Sequence, residues 1–149
     1  MIEPRPLQPP PSAHLVENAD AVVAALGGFD LRGAELREAR LALAPGDVPT
    51  LELDFHLRAG DTAADGDTGE HALRYRVTLR CTDIADLGLA DFEHRNVVES
   101  YAFVPLGAEV SDGREVRVSV IGVMGCDLEL RCASVAVVDV APASRRWRE

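Results

Sequence analysis

Leu51, Leu53, Phe55 and Leu57 alternate without a break with Glu52, Asp54, His56 and Arg58, and nothing else in the chain restricts its fold as much. Successive side chains of a strand point to opposite faces, so this run has one apolar and one charged side. Leu73, Tyr75, Val77, Leu79 and Cys81 repeat the scheme, with Arg74, Arg76, Thr78 and Arg80 outward. The small polar loop Gly60-Asp61-Thr62-Ala63-Ala64-Asp65-Gly66-Asp67-Thr68-Gly69 joins the two runs. Paired as a hairpin, they set outer carboxylates of the first against the arginine row of the second, which favours antiparallel pairing.

The same period marks further strands at 36–43, 97–104, 115–123, 126–132 and 134–140, with a weaker one near 84–90. Asp112-Gly113 and Gly125 mark turns between them. Only one segment reads as helix. Leu15, Val16, Ala19, Val22, Val23 and Leu26 fall within about 120° of arc at 100° per residue, predicting a helix over 13–26. Ser12 is placed to cap it and Gly27-Gly28 to end it in the left-handed conformation. Residues 1–11 hold five prolines and read as an extended lead-in, 12–142 as one domain, and 143–149 as a basic tail. The expected fold is α+β and mostly β. One N-terminal helix packs on a mostly antiparallel sheet, arranged as a sandwich or open barrel of about seven strands.

The 149 residues suit a single domain, and a formal charge of −10 opposes binding to nucleic-acid phosphates. A basic protein partner fits that charge better. All fifteen cations are arginine, a usage that points to a GC-rich bacterial coding sequence. Met1-Ile2-Glu3-Pro4-Arg5-Pro6 lacks the apolar centre of a signal peptide, and no apolar run approaches the roughly 20 residues of a membrane span. Three cysteines do not make a secreted disulfide framework. These features together predict a cytoplasmic protein with reduced thiols.

No complete catalytic or metal constellation stands out. Cys81, Cys126 and Cys132 sit among Leu and Val positions, where cysteine acts as a small buried hydrophobe, so neither a metal nor another cofactor is expected. Asp61, Asp65 and Asp67 do not have the spacing of a calcium loop. Ser100, Ser111, Ser119 and Ser134 lie outside any nucleophile elbow. His56 reads as a cross-strand partner. The segment that periodicity leaves unexplained is Asp91-Phe92-Glu93-His94-Arg95-Asn96-Val97-Val98. His94 with Asp91 or Glu93 has the groups of an acid-base pair, and equally those of a turn-fixing or interfacial salt bridge. Asp91, Glu93, His94 and Arg95 are the candidate partner-binding residues. Phe92 is expected in the core and Asn96 is expected to secure the turn.

From about Gly28 to Pro142 the chain resembles the immunity protein 50 family of bacterial polymorphic toxin systems. Three stretches carry the resemblance. They are Gly28-Phe29-Asp30 leading through Ala34-Glu35 to Leu41-Ala42-Leu43, then Leu87 to Val98 with its "L…F…NV" element, and Leu128 to Val137. The first departs from the family pattern, with residues around Leu31-Arg32-Gly33 standing where a histidine-aspartate pair is expected. The resemblance implies a cytoplasmic antidote that binds and blocks a cognate toxin domain and performs no catalysis. It is expected as a monomer or weak homodimer, with 115–123 as an apolar edge strand able to pair between subunits. The alternative is a small-ligand-binding or enzymatic β domain with its polar site near Asp91, Glu93 and His94.

Overall fold

The computed structural model describes residues 15–58, 74–92, 96–106 and 114–142. Along the chain come β1 (Val16–Glu17), α1 (Ala19–Leu26), β2 (Glu35–Ala44), β3 (Val48–Arg58), β4 (Arg74–Thr82) and β5 (Ala85–Ala90). They are followed by β6 (Val98–Pro105), β7 (Val116–Gly122), β8 (Asp127–Cys132) and β9 (Ser134–Pro142). Two sheets form a sandwich, one in the order β1-β9-β4-β3-β2 and the other β5-β8-β7-β6. Every pairing is antiparallel except β1 with β9. Among the described residues the strands exceed the expected seven by the weak 85–90 strand and the two-residue β1.

The alternation seen in the sequence sets the layers. Leu51, Leu53 and Phe55 of β3, Val77, Leu79 and Cys81 of β4, and Val118, Val120, Leu128, Leu130 and Cys132 of the second sheet share one core. Each of these side chains leaves water almost completely, which is worth about 1.5–3 kcal/mol for a Leu, Val or Phe. Leu41 and Leu43 are core-facing by register, opposite Leu51 and Pro49, yet they are 63% and 66% exposed. The core therefore stops short of the free edge of β2.

The chain changes sheets at two adjoining corners. Asp83, at φ 59°, turns β4 towards β5, a conformation that Asp tolerates better than most residues. Arg114 holds the corner, its Nε donating to the Asp83 carbonyl and its Nη2 to Oδ1, both at 3.0 Å. Ala133 makes the return from β8 to β9, and its N–H donates to the Thr82 carbonyl at 2.9 Å. At the opposite end the sheets are latched through Leu36 N–H to Asn96 O (2.9 Å) and Val98 N–H to Ala34 O (2.8 Å).

Several expectations need correction. The helix is Ala19–Leu26, because Asn18 sits at φ 65° and Val16-Glu17 instead pair with Val135 and Ala136. Main-chain bonds to β9 hold those two residues outside the helix. Val22 is fully buried and α1 packs on β9, but Val23 is 44% exposed, so the apolar stripe is narrower than the sequence implies. Gly27, at φ 88°, does end the helix, donating to the Val23 carbonyl at 2.8 Å. Segment 116–122 is not an edge, since β7 lies between β6 and β8. Ser12, the 60–69 loop, the Asp112-Gly113 turn, the lead-in and the basic tail lie outside the described residues.

Candidate functional site

At one end of the sandwich the exit of β5 meets the β7–β8 turn. Ala90 pairs with Asp127, and Asp91 then takes a left-handed conformation at φ 56° that ends the strand. The β7–β8 turn is narrow: Gly122 N–H donates to Cys126 O at 2.7 Å, and Gly125 N–H to Gly122 O at 3.2 Å. A Cβ on Gly122 would lie 3.0 Å from the Cβ of Cys126, a tight contact that glycine avoids. Val123 N–H donates to Val97 O at 2.8 Å, fastening the turn to the chain that leads into β6.

That turn carries apolar side chains into solvent. Met124 is 73% exposed and Val123 56%, following the 43% exposed Ile121 of β7. Carboxylates accompany them. Asp91 lies against Gly125 and, like Asp127, is exposed and acts electrostatically on the Cys126 thiol. Burial is the main cause that pushes the Cys126 thiol up, and the two carboxylates add to it. The result is an apolar knob with acidic neighbours, built by β5, β7 and β8.

This end includes part of the segment singled out in the sequence. Asp91 is exposed there. Phe92 is 37% exposed, so the ring is not the core residue expected of it; after the Asp91 turn it has left the β5 ladder that would have carried it inward. Asn96 is 3% exposed, and its Nδ2 donates to Leu36 O at 3.2 Å. Glu93, His94 and Arg95 lie outside the described residues.

Next to this knob, across Val97, is a polar cavity of about 430 Å³ lined by Asp30, Arg32, Glu35, His56, Arg74 and Val97. Arg32 grips Asp30 with two side-chain bonds, Nε to Oδ1 at 3.0 Å and Nη2 to Oδ2 at 2.7 Å. That grip holds the Asp30 carboxyl below the usual carboxylate range despite partial burial. His56 is pushed down, first by burial and then by the nearby Arg37 charge, so its neutral imidazole is favoured. Arg37 itself contacts Glu35 at 3.4 Å. The cavity offers a neutral base and two carboxylates, with charges largely compensated inside it.

Sequence reasoning did not assemble this cavity. Its walls come from the loop before β2, the end of β3, the start of β4 and the lead into β6, which no single stretch advertises. The available signal was Asp30-x-Arg32, a pair positioned to close a local turn, and His56 at the charged end of an alternating strand.

The outer face of the first sheet adds a charged network. Arg40 reaches Glu38 (2.9 Å), Glu52 (3.0 Å) and Asp54 (2.8 Å), Arg80 reaches Glu52 (2.8 Å), and Arg76 reaches Asp139 (2.8 Å). Asp54 is only 7% exposed because Arg40 of the neighbouring strand and Thr78 close over it, Thr78 Oγ1 donating at 2.6 Å. These arginines are thus matched by the protein's own carboxylates. Among the described residues no helix is long and apolar enough to cross a membrane. No family model matches the chain, and neither the curated proteins nor the solved structures compared with it contain a match.

Proposed function

We propose that this protein works by binding, neutralising a basic toxin domain in the cytoplasm as its resemblance to the immunity protein 50 family implies. The observation that carries the reading is the exposed Met124 and Val123 of the β7–β8 turn beside Asp91 and Asp127. An apolar centre with charged neighbours is the arrangement by which protein interfaces gain affinity from a few buried side chains and orientation from their rim. Burying one methionine fully contributes about 1.5–3 kcal/mol. The −10 charge gathers a cationic partner, and many of the arginines that would oppose this are engaged with carboxylates of the same chain.

The test is co-expression with a toxin domain from a gene next to this one. Cells carrying both proteins survive, and the folded Met124→Asp variant protects them less. Equal killing with and without this protein would reject the reading for that pair. The cavity around His56 supports a second reading, a small polar ligand held beside the neutral His56 ring, which calorimetric titration with small uncharged polyols and amides tests directly.

A further inference from the structure

Cys81 and Cys132 stand on opposite sheets at the paired corner, each with no exposed surface. The residues that follow them are bonded to each other, Ala133 N–H donating to Thr82 O at 2.9 Å. Cys81 also pairs in register with Val135, three residues beyond Cys132. Both side chains belong to the shared core, and the two thiols act on each other, Cys81 pushed up and Cys132 held down. The fold therefore brings together two thiols that are about 50 residues apart in the chain. Cys126 is separate, six residues before Cys132 and about 20 Å along an extended strand.

We propose that Cys81 and Cys132 are a built-in dithiol pair that closes to an inter-sheet disulfide under a small-molecule disulfide oxidant, leaving Cys126 as a free thiol. Either thiol can lead once the corner opens; with Cys132 leading, its thiolate forms by loss of the proton to solvent. The Cys132 thiolate attacks one sulfur of the oxidant RSSR, forming a mixed disulfide and expelling RS⁻. Cys81 then gives up its proton, attacks the Cys132 sulfur and expels the second RS⁻. Two cysteine thiols are oxidised, one RSSR is reduced, and the two thiol protons end on the two RSH released. Because both thiols are buried in the folded protein, the bond forms during refolding or transient opening of the corner.

The experiment refolds the full chain from denaturant in a buffer of reduced and oxidised glutathione, then counts thiols and maps disulfide-linked peptides. The expected result is loss of two of the three titratable thiols, a Cys81–Cys132 linked peptide, and an unfolding midpoint above that of the reduced protein. Cys126→Ser still forms the bond, whereas Cys132→Ser retains both remaining thiols. Three free thiols at equilibrium, a linkage that includes Cys126, or an oxidised form less stable than the reduced one would each overturn the proposal. The thiol count on the unmodified chain keeps the test decisive if a cysteine variant fails to fold.

Discussion

Asn96 and Leu36 exchange two hydrogen bonds across the end of the sandwich: Asn96 Nδ2 donates to Leu36 O at 3.2 Å, and Leu36 N–H donates to Asn96 O at 2.9 Å. The pair ties β2, the edge strand of one sheet, to the chain leading into β6 of the other, with Asn96 almost wholly buried. Removing the amide leaves a buried carbonyl without that donor. Asn96→Ala should cost about 1–3 kcal/mol, read as a lower urea midpoint with an unchanged slope. A shift below about 0.5 kcal/mol would show that the latch contributes little.

The short helix gives a prediction from two adjacent valines. Val22 is fully buried and Val23 is 44% exposed. Val22→Asp places an unpaired carboxylate in the core and should cost several kcal/mol, about a third of a domain's stability. Val23→Asp should stay within about 0.5 kcal/mol of the parent. Equal effects in thermal unfolding would contradict the way α1 is docked.

The Arg40 network sets the acid limit. Burial pushes Asp54 up, but hydrogen bonds from Arg40 and Thr78 outweigh it, and the carboxyl is held below its ordinary value. Hydrogen bonds from Arg40 and then Arg80 hold Glu52 down as well. Lowered carboxyl pKa values stabilise the fold at pH above the unfolded values of about 3.9 and 4.3, and this stability is lost as pH falls through the folded values. Urea midpoints should fall steeply below about pH 4 in the parent. The drop should be shallower in Arg40→Ala, which at neutral pH is already weaker by about 1–2 kcal/mol, reduced from a fully buried pair because Arg40 is half exposed. An identical acid profile in both proteins would remove Arg40 from this role.

His56 acts in a different pH window. Burial, then the Arg37 charge, depress its pKa; Arg76 works in the same direction, while Asp54 and Glu35 oppose them. The unfolded chain therefore takes up the proton first, so the neutral ring's contribution is present above about pH 6.5 and declines as pH falls towards the folded value. Stability should decrease between pH 7 and pH 5, and His56→Gln should flatten that part of the curve. A decline of the same size in His56→Gln would assign it to other groups.

Much of the layering was legible because a period of two permits only one assignment of faces. Leu51 to Leu57 and Val77 to Cys81 needed no tertiary information to mark the core side of two paired strands. Asp54 shows the limit. By alternation it belongs outside, and only the neighbouring strand's Arg40 and the facing Thr78 bury it. Val16-Glu17 read as helix because their spacing fits one, but non-local bonds to Val135 and Ala136 decide the matter. Phe92 misled for a related reason: a ring within a polar segment reads as an anchor until the left-handed Asp91 turns it away. The knob depended on the β7–β8 turn meeting the β5 exit, a contact that neither stretch specifies alone.

The binding reading separates steering from grip. Long-range attraction acts through the −10 charge, including the carboxylates at the knob, and weakens as the Debye length shrinks from about 30 Å at 0.01 M salt to about 8 Å at 0.15 M. In the proposed role, association with a cationic toxin domain should therefore slow as salt rises. Asp91→Asn, which keeps the left-handed turn, combined with Asp127→Arg should slow it further and flatten the salt dependence. Met124→Ala removes apolar contact without changing charge, so it should speed dissociation about tenfold or more, with association nearly unchanged. None of these exposed substitutions should move the melting temperature by more than a few degrees. Surface plasmon resonance across a salt series measures both rates. Association indifferent to salt, with dissociation unchanged in Met124→Ala, would place the contact on another face.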